Sequence, residues 1–228
     1  MKRDILLQLS RHIFENKSAA LVTRLPEGTQ CLLSSEGQCG ELSLSPQEIA
    51  AANRLLSERR SAYISDEPRI FVRTYARPYR LVIIGAVHIA RYLAPMAQMA
   101  NFEVVVIDPR EAFNNAFNVP GTTLIDDWPD DVLKQMNIDE STAIVTLTHD
   151  PKIDDVALAI ALPSPAFYIG SLGSKRTHEK RKQRLVELGL ETCTDRIAAP
   201  VGLNLGGREP AEIAVSILAQ IIQRRYAP

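Results

Sequence analysis

Cysteine is scarce in this chain: Cys31, Cys39 and Cys193 are the only three in 228 residues, and none falls in a Cys-x-x-Cys spacing. That excludes a disulfide scaffold, offers no zinc or dithiol redox motif, and suits a reducing compartment. A surplus of either charge is also lacking. The 26 basic and 27 acidic residues leave a formal charge of -1, so no global field draws nucleic acid or an anionic membrane, and any basic patch is local. Long apolar runs are missing too. Gln8, Arg11, His12 and Glu15 interrupt the first segment before a secretory core or a membrane span forms, so a soluble cytoplasmic protein is expected. What the chain does hold is a 46% apolar share, ample for a buried core at the length of one large domain or two small ones. Disorder and collagen-like repeats are thereby excluded.

The pattern divides the chain. Ile5, Leu6, Leu9 and Ile13 recur at helical spacing, and the β-prone runs 20–23 and 30–34 flank Pro26-Glu27-Gly28 as a hairpin would. Ser45-Pro46-Gln47-Glu48 places an N-cap serine, a proline at the first helical position and an acidic residue in the first turn, so a helix is expected to start there. Residues 69–75 alternate as a strand, and Arg77-Pro78 breaks the pattern. These features describe a small α+β N-terminal domain over 1–76. From residue 77 to 228 apolar strand runs alternate with helical stretches, the sign of βαβ units and a Rossmann-like parallel sheet, hence an α/β domain. Strands are expected at 81–84, 104–107, 122–125, 143–147 and 166–169, with a last helix opening at Glu209-Pro210.

The residues able to carry chemistry fall just after those strands. Gly85 ends the first and opens a helix, and Asp108 ends the second, as in a dinucleotide fingerprint. Val87 stands where that fingerprint places its second glycine, so a β-branched side chain is expected to crowd a pyrophosphate and to resist a positive φ. Asp108 could accept ribose hydroxyls, or it could bond the amides that follow it. His149 and Asp150 follow the fourth strand and His88 the first. In a doubly wound order these strands are neighbours, so the three side chains are expected at one crevice, where they could do acid/base work, bind an anion or hold a metal. His88 alone reads as a helix-terminal residue. The loop after Gly170, Ser171-Leu172-Gly173-Ser174-Lys175-Arg176, opens a basic helix and reads as a phosphate seat, while Lys180, Arg181, Lys182 and Arg184 read as surface charges balanced by Glu179 and Glu187. The glycine-rich connection from Gly202 to Arg208 is either shaped around a ligand or forced by a tight crossing, and Arg208 could pair with a phosphate or with a carboxylate of this chain. No catalytic residue and no metal site is assigned.

In this order, IIGAVHIA, VVVIDPRE, VTLTHDPKIDD, YIGSLGSKRT and PVGLNLGGREPAEIAVSILAQII resemble the C-terminal domain of the XdhC/CoxF family, accessory proteins of xanthine dehydrogenase and related molybdenum hydroxylases. The resemblance spans about residues 79–224. It implies a Rossmann-like domain beside a smaller N-terminal one, binding of molybdenum cofactor (molybdopterin or its nucleotide form), and delivery to a molybdenum hydroxylase apoenzyme, with a sulfur donor protein as a further partner and a homodimer as the assembly. The carried-over positions are Gly85, His88, Asp108, His149, Asp150, Gly170, Gly173, Ser174, Arg176 and Gly202. Two departures stand out: the family's GAGHVA reads GAVHIA here, and its Gly-Gly-Cys-Val-Glu segment has only Cys39-Gly40 as a remnant. The alternatives are an NAD(P)-dependent oxidoreductase and a scaffold paralogue without ligand.

Overall fold

Helix α1 (Arg3–Phe14) buries Ile5 and Leu9 of the expected stripe but leaves Leu6 and Ile13 exposed. The structure, a computed structural model, describes residues 2–226 and divides into two compact units, Met1–Pro78 and Tyr79–Pro228. In the first, β1 (Ala19–Leu25) and β2 (Thr29–Ser34) form the expected hairpin, with Ala19 opposite Ser34 and Arg24 opposite Thr29. Strands β3 (Gly37–Gly40), β4 (Ala62–Asp66) and β5 (Arg69–Tyr75) complete an antiparallel sheet of order β3-β2-β1-β5-β4. Because successive side chains point to opposite faces, Ala20, Val22, Ile70 and Val72 pack on α2 (Pro46–Ser57) while Ala19, Leu21 and Leu32 pack on α1. Ser45 and Glu48 close a reciprocal capping box at the start of α2, Ser45 donating from its amide to Glu48 Oε2 at 2.6 Å. Edge strands β3 and β4 are short and largely open to solvent, which is why no apolar alternation announces them.

The second unit runs β6 (Tyr79–Ile84), α3 (His88–Met99), β7 (Phe102–Ile107), α4 (Glu111–Ala116), β8 (Thr123–Ile125), α5 (Pro129–Gln135), β9 (Thr142–Thr146), α6 (Pro151–Ala161), β10 (Tyr168–Ser171), α7 (Lys175–Glu187), β11 (Ile197–Ala198) and α8 (Pro210–Arg225). Its six strands are all parallel, in the order β11-β10-β9-β6-β7-β8. This is the Rossmann order, with the first and fourth strands of the unit adjacent as expected. Leu81, Ile83, Val104, Val106, Ala143 and Val145 face α3 and α8, whereas Val82, Ile84, Val105, Ile107 and Ile144 face α5, α6 and α7. Covering both faces is what makes the strands read as continuous apolar runs. The strand order reverses between β6 and β9, with β7 and β8 added on one side and β10 and β11 on the other, so the ligand crevice of such a sheet lies outside their carboxyl ends, at the loops that start α3 and α6.

Candidate functional site at the carboxyl edge of the parallel sheet

Gly85 turns the chain out of β6 at φ +113, and its amide donates to Ile107 O at 2.8 Å. A Cβ there would stand 2.8 Å from Thr148 Cγ2, so the β6 and β9 turns touch and only glycine fits between them. Val87 corrects an expectation. It is the N-cap of α3 with φ -86 and ψ 174, ordinary extended backbone that needs no glycine, and its half-buried side chain packs on the core beneath α3 and α8. No side chain caps the first amides of α3, and His88, its first residue, is exposed. Those amides are therefore open to an acceptor from outside the helix.

Asp108 is completely buried at the end of β7. Its Oδ1 accepts from the Arg110 amide (3.0 Å) and Nε (2.8 Å); its Oδ2 accepts from the Ala86 amide (2.8 Å) and Arg110 Nη2 (2.7 Å). Of the two readings of Asp108, the structure displays the second: the carboxylate ties the β6 turn to the β7 turn, and its acceptor positions are full. The guanidinium that covers it lies over the Phe113 ring, 3.9 Å from the centroid. The hydrogen bonds of Asp108 hold Arg110 in its charged form, with the fields of Asp150 and Asp154 adding to them.

After β9, His149 is exposed and sits in the left-handed region at φ 63, while Asp150 caps α6 by accepting from the Lys152 amide at 2.9 Å. The turn is held from below by Asp154, a residue the motif reading passed over. Its buried carboxylate accepts from Thr148 Oγ1 (2.7 Å), the Thr148 amide (3.3 Å) and the His149 amide (3.1 Å). Burial pushes the Asp154 pKa up, against the pull of the Thr148 bonds, Arg181 and the His149 amide. An aspartate between Ile153 and Ala157 on the apolar face of α6 was the available signal. Neither the His88 nor the His149 ring makes a hydrogen bond among the described residues, and no cluster of three or more His, Cys, Asp or Glu there could hold a metal. The sheet brings the two turns together, then, without joining the two imidazoles.

The β10 turn shows which of its residues face outward. Gly170 and Ser171 are buried inside the strand: a Cβ on Gly170 would strike Val201 Cγ2 at 2.6 Å, and Ser171 Oγ bonds Thr146 Oγ1 at 2.5 Å. Both are packing residues of the sheet. Gly173 takes φ +144, and Ser174 caps α7, accepting from the Thr177 amide at 3.2 Å. Lys175 and Arg176 are exposed in the first turn of α7 and make no ion pair among the described residues. The charges farther along α7 correct the surface reading. Arg181 is 2% exposed, because residues 178, 181 and 185 share the inward face of the helix. Arg181 donates from Nη2 to Leu172 O at 3.1 Å and faces Asp154 at 3.9 Å and Asp155 at 3.6 Å, linking the β10 turn to the β9 turn. Arg184 pairs with Asp155 and Lys182 with Asp195, rather than with Glu179 or Glu187.

Gly202, at φ +93, lies so close to Ser216 Oγ on α8 that no side chain fits, and Gln220 holds it from both sides, accepting from its amide at 2.9 Å and donating to its carbonyl at 3.3 Å. The tight crossing accounts for this glycine. Arg208 is exposed; its amide donates to Glu212 Oε2 at 2.8 Å, and its side chain makes no ion pair among the described residues. Since α6 and α7 each start just after a strand ends, the unpaired Lys152, Lys175 and Arg176 stand on one edge of the sheet, while Arg208 lies in the connection that leads into α8. The start of α5 brings Asp127, Asp130 and Asp131 to the same edge, so the free cations form a local patch beside α6 and α7 rather than a net charge of the whole edge.

Strand order and two covered faces define a Rossmann-type α/β domain. More narrowly, the chain belongs to the XdhC family: the family model described as XdhC Rossmann domain matches residues 81–221. It is 28% identical over 215 residues to a probable xanthine dehydrogenase subunit of Bacillus subtilis, covering 93% of this chain and 62% of that protein. It is 40% identical over 89 residues to the molybdenum cofactor insertion chaperone PaoD of Escherichia coli, covering 39% of this chain and 28% of that one. The uncharacterized protein YqeB of Escherichia coli is 32% identical over 157 residues, 68% of this chain and 29% of its own length. A crystal structure of a xanthine dehydrogenase from Bacillus halodurans superposes with a TM-score of 0.75 at 28% identity, covering 97% of this chain and 64% of that one. The chain thus spans between 28% and 62% of the length of these curated relatives. Among the described residues no helix is long and apolar enough to cross a membrane.

Proposed function

We propose that this chain is a maturation factor that binds molybdenum cofactor, as molybdopterin or its nucleotide form, and hands it to a xanthine dehydrogenase-type apoenzyme. The observation that carries the reading is the first turn of α7: Gly173 opens it, Ser174 caps it, and Lys175 and Arg176 have no counter-ion among the described residues. Positive dipole, open amides and two free cations suit a terminal phosphate. The naming of PaoD as an insertion chaperone supports the cargo, and that of the Bacillus subtilis protein supports the client class.

The donors on this edge fit the phosphate end of the cofactor. They do not include a thiol, because the second unit's cysteine, Cys193, precedes β11 and so belongs to the opposite edge. When bound, the cofactor brings the metal and the dithiolene chemistry that the client enzyme uses. This chain's residues bind and orient: Lys175 and Arg176 take the phosphate, the α3 amides and His149 meet further polar atoms, and release to a docked partner completes the task without a turnover step. An oxidoreductase that reads a ribose diol through Asp108 fits less well, since four internal donors already occupy that carboxylate. Native mass spectrometry with molybdopterin, its nucleotide form and NADH in separate samples tests the proposal. A pterin-mass adduct at defined stoichiometry is expected, and Arg176→Ala should weaken it about tenfold, the worth of a charge-assisted contact. An adduct with NADH alone overturns it.

A further inference from the structure

Asp108 and Arg110 together reverse the chemistry expected at the end of the second strand of a Rossmann sheet. An acidic residue there ordinarily offers lone pairs to ribose hydroxyls. Here the carboxylate has no exposure, and both of its oxygens are spent on the Ala86 and Arg110 amides and on Nε and Nη2 of Arg110. What remains on the surface is the guanidinium, 28% exposed, backed by Phe113 and held edge-on by the carboxylate. Its Nη1 makes no hydrogen bond among the described residues. Bound to the same carboxylate oxygen as the Ala86 amide, the group leans over the turn that starts α3, where the first helical amides have no side-chain cap.

We infer that Arg110 is a specificity-determining residue of the crevice, selecting ligands that carry a phosphate monoester at the β7 end over ligands that carry a free ribose diol there. A monoester dianion gains a charge-assisted bond from Nη1 and the positive end of α3. A diol needs an acceptor, and the acceptor here is full. Asp150 and Asp154, the other acids felt by Arg110, reduce the local field; Asp154 is buried beneath the β9 turn, and Asp150, whose Oδ1 holds the Lys152 amide, belongs to that turn rather than to the β7 end. The inference rests on the reading of this edge as a phosphate-binding crevice and narrows it, since neither the fold nor the relatives' names distinguish monoester from diol.

The test uses two probes that differ by one phosphate, adenosine 5′-monophosphate and adenosine 2′,5′-bisphosphate, titrated by calorimetry into the full chain. The bisphosphate should bind about tenfold more tightly, one charge-assisted contact's worth. Arg110→Gln should erase that preference, bringing the ratio of the two affinities to about one. Asp108→Asn, which keeps an acceptor for the Ala86 amide but removes the charge that neutralises Arg110, should widen it. If Arg110→Gln fails to fold because Asp108 is left as a buried unpaired charge, the double variant Asp108→Asn with Arg110→Gln removes that charge and should show no preference. Equal affinity for the two probes in the unmodified protein overturns this inference and leaves the crevice reading standing. So does loss of monophosphate binding in Asp108→Asn, which would return Asp108 to the role of ribose acceptor. Binding of neither probe overturns the phosphate crevice itself, and this inference with it.

Discussion

Asp154 is the residue on which the shape of the β9 turn depends, and replacing it separates hydrogen bonding from charge. Asp154→Ala deletes the acceptor of Thr148 Oγ1, the Thr148 amide and the His149 amide, and takes one of two partly neutralising carboxylates from Arg181. At about 1 kcal/mol for each bond, with Thr148 half-buried and His149 able to find water, the three bonds amount to about 2 kcal/mol. Leaving buried Arg181 with Asp155 alone adds about 1 kcal/mol. A loss of about 3 kcal/mol in a unit of this size lowers the melting temperature by roughly 6–12 °C, readable by circular dichroism. Asp154→Asn keeps an acceptor oxygen and should cost about a third as much. If the asparagine variant is as unstable as the alanine variant, the ion rather than the turn's bonds is what matters, and the clamp argument is wrong.

The same carboxyl predicts a pH dependence. Its folded pKa is raised above the unfolded value, so between the two the folded state holds more protons than the unfolded state. This group's contribution is therefore lost as pH rises from 3.8 through the raised value, and Asp154→Asn should flatten that part of a stability-versus-pH curve measured by urea denaturation. Gly85→Ala should cost about 2–3 kcal/mol through its positive φ and its contact with Thr148; adding Thr148→Ser should recover only part of the loss, and full recovery would show that backbone strain is unimportant. Burial pushes the Cys31 thiol up to about 11, so at pH 8 about a thousandth of it is thiolate, and it should react with a disulfide reagent only after unfolding, well behind half-buried Cys39. Labelling of Cys31 at the rate of Cys39 in the native protein would refute its burial.

Periodicity and local chemistry read from the chain alone determined a good deal. The apolar runs at 81–84, 104–107 and 143–147 are legible because a parallel sheet covered on both faces needs unbroken apolar strands, and Ser45-Pro46-Gln47-Glu48 is legible because a capping box is a local device. Gly85 announced its turn, and the five motifs together announced the family. What tertiary structure decided is where each side chain ends up once distant segments meet. Val87 departs from the fingerprint in residue type, yet its φ of -86 is ordinary extended backbone that a β-branched residue adopts without strain. Gly170, Ser171 and Gly202 read like ligand-loop residues, yet Val201, Thr146 and Ser216 crowd them from other elements. Arg181 sits in a basic run that charge spacing describes as solvated, and only the docking of α7 against α6 turns it inward to Asp154 and Asp155. Asp108 was ambiguous because both of its roles use the same strand-end position. The choice fell to Arg110, two residues on, whose guanidinium folds back over the carboxylate it neutralises. Local patterns specify elements, because backbone geometry and side-chain period act over a few residues; which polar atoms stay free for a ligand depends on partners that the fold brings from far along the chain.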